Sequence, residues 1–277
     1  MNCVSDITSE NAVNTFISLA SAELPDDLKQ AVEECAETET IASAVTKLVA
    51  NAIAASDLGL ADRSRAMCQR LRATSAAKLD HAALSLVQRP DEFMVDEQVF
   101  VMHEKGKLKS GVWANVITKS FRGPAKPIVF KELGLQVDIP KQLNQMKLAL
   151  RVNHIPYDSL SEQSVQLSPY LVVGGLLQVE FVLLPQPPKT VKGMVMRASS
   201  VLGSSLQRVP YGDEHGASAI TAPLKVSLHV PPSVYFVPSE EDRKVLFWDY
   251  HISQWTTEGV LQDQVSLHPH FIIIKLN

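Results

Sequence analysis

The sequence predicts an α+β chain divided by segment: an acidic helical region over residues 1–97, then an all-β, immunoglobulin-like sandwich region over residues 98–277. Two observations carry this expectation. All three tryptophans (Trp113, Trp248, Trp255), all five tyrosines, 14 of the 16 prolines and 11 of the 12 glycines follow residue 97, whereas alanine is concentrated before it. Glycine and proline punctuate turns, and aromatic or β-branched residues suit pleated strands, so the break separates two folding regimes. Charge divides at the same place. Residues 1–97 hold 8 Lys and Arg against 16 Asp and Glu, a net of −8, which leaves 18 against 14, a net of +4, for residues 98–277. Either the halves attract each other or the basic half faces an acidic partner.

In the helical region, Ala12, Val13, Phe16, Ile17 and Ala20 form one apolar face over residues 8–20. Pro25 followed by Asp26 and Asp27 reads as the first turn of a short helix. Ile41, Val45, Leu48, Val49, Ala52 and Ile53 recur at helical spacing, with Glu39 or Thr40 as the start of a separate amphipathic helix. From about residue 60 to 88, Met67, Leu71, Leu79, Ala82 and Leu86 make a narrow stripe that ends before Pro90. Arg63, Arg65, Arg70 and Arg72 decorate its other faces. Acidic neighbours and the lack of interleaved aromatics make these a solvated helix face and not a nucleic-acid surface.

The second region reads as short strands between turn signals. Val99–Met102 and Val112–Ile117 flank EKGKLKSG, a hairpin-like connection, and Ile128–Phe130, Leu135–Ile139 and Met146–Val152 follow. In LLQVEFVLL, Leu177, Val179, Phe181 and Leu183 alternate with Gln178 and Glu180, as a half-buried strand requires. Gly174-Gly175 is read as lying inside a strand, where it marks a bulge or bend rather than a phosphate cradle. Later candidates are Val191–Met196, Lys225–Val230, Val234–Val237, Val245–Trp248, Gln264–Leu267 and the terminal HFIIIKL. The Ser- and Gly-rich stretch 198–222 reads as a long mobile loop.

Composition also limits function. Three widely spaced cysteines, Cys3, Cys35 and Cys68, make neither a disulfide set nor a zinc pattern, which fits a reducing compartment. The formal net charge of −4 argues against a dedicated nucleic-acid binder. No apolar run is long enough to span a bilayer, so no membrane partner is expected. His268 and His270 form an H-x-H pair that could begin a metal site, with His229 or His251 as a third ligand, but two ligands are not a site. Asp213, Glu214 and His215 could be drawn as an acid–base group, yet no nucleophile motif accompanies them. No phosphate-binding glycine motif occurs, and no catalytic residue, cofactor or metal is expected. The remaining concentrated signal is VLFWDYHISQWTTEGV, where Trp248, Asp249, Trp255 and Glu258 compose a candidate interaction surface. The alternative is a tryptophan pair in the core, bracketing a hairpin.

Around this segment the chain resembles the axonemal dynein intermediate chain 7 family, also called the cancer susceptibility candidate 1 family. The blocks that carry the resemblance are GVWANVITKSFRGPAKPIVFKELGLQVDIPKQL, LLPQPPKTVKGMVMR, and PLKVSLHVPPSVYFVP followed by VLFWDYHISQWTTEGV, together covering roughly residues 110–260. The chain is short for that family, whose charged N-terminal region and additional C-terminal region are expected to be missing. The resemblance implies a non-catalytic accessory or structural protein of the ciliary or flagellar axoneme and cytoplasm, associated with inner-arm dynein. Its implied partners are dynein intermediate and heavy chains, tubulin or other axonemal proteins. No W-D repeat of propeller period is present. The competing functions are a metal-assisted hydrolase on a β-sandwich and a peptide- or sugar-binding sandwich module.

Overall fold

A computed structural model describes residues 9–89, 92–95, 98–115, 127–140, 143, 147–158, 160, 175–184, 189–191, 194–196, 206–209, 224–229, 245–249, 252–257, 260–267 and 270–276. They divide into two units, Met1–Leu86 with His103–Ser110, and Val87–Met102 with Gly111–Asn277. The composition break at residue 97 therefore lies near the division, but the hairpin tip His103–Ser110 groups with the helices.

The first unit contains helices α1 (Glu10–Ala22), α2 (Leu28–Ala54) and α3 (Leu58–Gln88). Each start is capped by a side-chain oxygen that satisfies an orphan amide. Ser9 accepts from Ala12 N, Asp27 from Gln30 N, and Asp57 Oδ1 from Leu60 N at 2.9 Å. The short helix expected after Pro25 and the separate one expected from residue 39 or 40 are thus a single α2, capped by Asp27. It ends in a Schellman turn. Ser56 takes the left-handed conformation (φ 58°) while Ser56 N donates to Ile53 O and Asp57 N to Ala52 O.

Cross-helix contacts fix the directions. Glu10, Asn14 and Ser21 of α1 meet Arg63, Arg70 and Thr74 of α3, so these two helices run parallel. Cys35 Sγ reaches Ser75 O and Cys68 Sγ reaches Ala42 O, so α2 and α3 run antiparallel. Their seam follows heptad spacing on both sides. In α2 it is Leu28, Ala31, Cys35, Thr38, Ala42, Val45, Val49 and Ala52, and in α3 it is Ala61, Ser64, Cys68, Leu71, Ser75, Lys78, Ala82 and Ser85. Most of these side chains are small, which lets the helices approach until thiols reach the facing carbonyls. Val13 and Ile17 of α1 complete the cluster with Ala42, Val45, Met67, Cys68 and Leu71.

The second unit is built from antiparallel pairs. One six-stranded sheet has the order β1 (Met94–Val95), β2 (Gln98–Lys105), β3 (Leu108–Asn115), β6 (Leu148–Ile155), β7 (Leu176–Leu183), β10 (Arg208–Val209). A five-stranded sheet has the order β14 (Val260–Leu267), β15 (His270–Leu276), β11 (Leu224–His229), β5 (Leu135–Asp138), β4 (Ile128–Phe130). Two ribbons, β8 (Lys189–Val191) with β9 (Met194–Met196) and β12 (Phe247–Asp249) with β13 (Gln254–Thr256), stand apart from them.

One hydrophobic cluster joins the two large sheets: Trp113, Leu148, Leu150, Val152 and Phe181 from the first meet Ile128, Phe130, Leu135, Val137, Leu224 and Val226 from the second. Such face-to-face burial of alternating residues is sandwich architecture. Glycine decides the geometry at two places. Gly111 leaves room for the Phe130 ring, whose edge would lie 2.9 Å from an added Cβ. Gly175 (φ 90°) opens β7 with its backbone so close to Ile155 O that a Cβ would sit 2.2 Å from it. Gly175 thus precedes the strand rather than lying inside one, and Gly174 lies outside the described residues.

Several expected boundaries move. The eight-residue connection EKGKLKSG is a two-residue turn at Gly106-Lys107, with φ positive at Gly106 alone, and the strands run on through its flanks. That geometry matches a type II′ hairpin turn. The single strand expected over Val191–Met196 is divided between β8 and β9. Within the stretch expected as a mobile loop, Arg208 and Val209 pair with Val182 and Phe181. The strand expected at Val234–Val237 lies outside the described residues.

Candidate functional site

The tryptophan segment folds as its own ribbon. In β12 and β13, Phe247 pairs with Thr256, Trp248 with Trp255 and Asp249 with Gln254. Directly opposed residues share a face, so the two indoles meet edge-on, ring centroids 5.2 Å apart at 71°. Trp248 is 4% exposed, whereas Trp255 is half-buried. The turn between them is set by Ser253 in the left-handed conformation (φ 50°), and Asp249 Oδ1 accepts from Ile252 N at 3.4 Å. Asp249 thus has a turn-shaping contact. Just before the ribbon, Val245 packs against the sandwich core.

Of the four residues expected to form the surface, Trp248 and Trp255 meet on one face of the ribbon, Asp249 alternates to the other, and Glu258 lies outside the described residues. Trp248 is buried, as in the alternative of a core tryptophan pair. The exposed apolar groups are instead Phe247, 39% exposed, and Ile252, 54% exposed at the turn. Size alone points to the tryptophans, but pairing register decides which residue of the ribbon faces outward, and it leaves Phe247 and Ile252 exposed.

A second polar arrangement lies on the face of the six-stranded sheet opposite its core. Arg151 stands opposite Glu180, and Asn153 opposite Gln178. Glu180 accepts from Arg151, from Gln178 and from Arg208 Nε at 2.8 Å, while Asn153 Nδ2 donates to Gln178 Oε1. Arg151 and Asn153 are buried, so the ladder satisfies their polar groups and holds β10 to β7. Gln178 and Glu180 were legible as alternating residues, but their partners depend on strand register.

For metal chemistry, His268, His251, Asp213, Glu214 and His215 lie outside the described residues, and His270 begins β15. Among the described residues no group of three or more His, Cys, Asp or Glu side chains could hold a metal ion. No helix among them is long and apolar enough to cross a membrane.

A helical unit joined to a two-sheet β unit that carries an aromatic ribbon defines the molecule at the level of class. Comparison with known proteins goes further. Residues 1–122 match the family described as Cancer susceptibility candidate 1 N-terminus. A protein of Bos taurus named dynein axonemal intermediate chain 7 is 30% identical over 105 residues, covering 36% of this chain. The match spans 14% of that relative's length. Both findings support the cancer susceptibility candidate 1 family that the sequence blocks resemble. They also correct one expectation: the family's N-terminal region is matched here, by the helices and first hairpin, and overlaps the quoted blocks only over their first residues.

Proposed function

We propose that this chain is a non-catalytic accessory protein of the ciliary or flagellar axoneme, associated with inner-arm dynein and with the assembly of that arm or its docking on microtubules. The observation that carries this reading is the match of residues 1–122 to the Cancer susceptibility candidate 1 N-terminus, joined by the likeness to a protein named as an axonemal dynein intermediate chain. Dynein intermediate and heavy chains and tubulin are the partners in this reading, and the axoneme and the cytoplasm where arms are assembled are its locations. Binding by an ordered surface suits the construction of the β unit. Trp248 anchors the ribbon so that Phe247, Ile252 and Trp255 are held in place before a partner arrives, which lowers the entropy lost on association.

Extraction of axonemes with salt tests the reading. The tagged chain is expected to leave the axoneme with inner-arm dynein and to co-sediment with it. Recovery only as a free monomer outside cilia overturns it. Glu substitution at Phe247 and Ile252 is expected to weaken co-sedimentation while leaving the fold intact, because both side chains are exposed.

A further inference from the structure

On α2, the surroundings of the Glu39 carboxylate favour the neutral form. Glu39 sits on α2 beside the seam with α3. Its Oε1 accepts from Ser43 Oγ at 2.9 Å, but its Oε2 is buried and has no hydrogen-bond donor. An ionised oxygen in that position loses its water without replacement, whereas a protonated carboxyl loses far less.

The charged groups of the helical unit do not remove the deficit. From α3, the Arg72 guanidinium attracts Glu39 electrostatically without donating to Oε2. On α2 itself, Glu34 is engaged by Lys78 and Gln30. On α1, Glu10 pairs with Arg63 near the α2–α3 turn, and on the hairpin tip Glu104 pairs with Lys109.

We propose that Glu39 is a proton-operated latch on the α2–α3 seam, closed while its carboxyl is neutral and loosening the middle of α2 once it ionises. The electrostatics agree with the geometry. Burial pushes the Glu39 carboxyl up from 4.5 to about 6, against the opposing pull of the Ser43 hydrogen bond and the Arg72 charge. Because the folded state holds this proton more tightly than the unfolded chain does, stability from this group is greatest below the unfolded value. It declines as pH rises through about 6.

Hydrogen exchange of the full chain, corrected for intrinsic rates, reads the latch directly in peptides covering α2. Between about pH 5 and about pH 7.5, wild-type protection around Glu39 is expected to fall roughly tenfold, the full linkage effect being reduced by solvent screening. Glu39→Gln, which keeps shape and removes the titration, is expected to hold protection constant over that range. Ser43→Ala, which removes the one donor to the carboxylate, is expected to move the transition to higher pH. Flat wild-type protection, an unchanged pH response in Glu39→Gln, or an unmoved transition in Ser43→Ala each overturns the proposal.

Discussion

The two units solve the burial problem with opposite materials. In the helical unit the seam between α2 and α3 is lined by alanine, serine, threonine and cysteine, and only Leu28, Val45, Val49 and Leu71 bring larger aliphatic groups to it. Close approach of two backbones supplies dispersion contacts there that bulky side chains supply elsewhere. In the β unit, Trp113, Phe130 and Phe181 join branched aliphatics to fill the space between sheets. The difference teaches where each unit is intolerant. The helical unit should resist enlargement, and the β unit should resist truncation and any loss of its glycine bends.

The largest effect is expected at Gly175→Val in the β unit. Its φ of 90° and the 2.2 Å approach of an added Cβ to Ile155 O combine backbone strain with a clash against backbone, a penalty of about 4 kcal/mol or more. Thermal unfolding followed by tryptophan fluorescence should show no cooperative transition, and a wild-type midpoint would refute the bend. Phe130→Ala is expected to remove about 3–5 kcal/mol by opening a cavity between the sheets. Ala42→Leu probes the opposite unit. Overpacking the seam should destabilise by about 1–3 kcal/mol, measured by denaturant unfolding followed by helical circular dichroism, where an exposed-surface alanine would tolerate the change.

Lys78→Met separates charge from packing within the seam. Lys78 is buried with its ammonium on Glu34, and although burial alone would raise the Glu34 carboxyl, hydrogen bonds from Lys78 and Gln30 and the lysine charge hold it below its ordinary value. A depressed carboxylate contributes stability that is present above the unfolded value and lost as pH falls through the folded one. Wild type should therefore lose stability from this group in acid, below about 4.5, and Lys78→Met should lose about 1–3 kcal/mol at neutral pH and much of that acid response. The smallest effect is a gain. Gly59→Ala in the first turns of α3, where a Cβ meets only ordinary contacts near 3.5 Å, should add about 0.5–1 kcal/mol, the reverse of the outcome at Gly175.

The class of each unit was legible because tryptophan, glycine and proline segregate so sharply at residue 97. The long α2 was not. Its first half, LKQAVEECAETET, presents Ala31, Cys35 and Thr38 to α3, and a search for aliphatic stripes passes over such residues. Met67, Leu71, Leu79, Ala82 and Leu86 of α3 were found and are all buried, whereas Ser64, Ser75, Lys78 and Ser85 on the same helix were invisible for the same reason. In the β unit, alternation marks β7, and EKGKLKSG is legible as a hairpin-like connection, but its charged residues hide strands that continue almost to Gly106. The tryptophan pair was legible as a cluster. Its division into a buried Trp248 and exposed Phe247 and Ile252 needed cross-strand register, which composition does not encode.

Chemical cross-linking of intact axonemes tests the functional account most directly, because it reports the chain's neighbours before any extraction. The account predicts cross-links from this chain to dynein intermediate or heavy chains, diminished when Phe247 and Ile252 are replaced by glutamate. A chain found in the axoneme with no dynein subunit within cross-linking reach would contradict it.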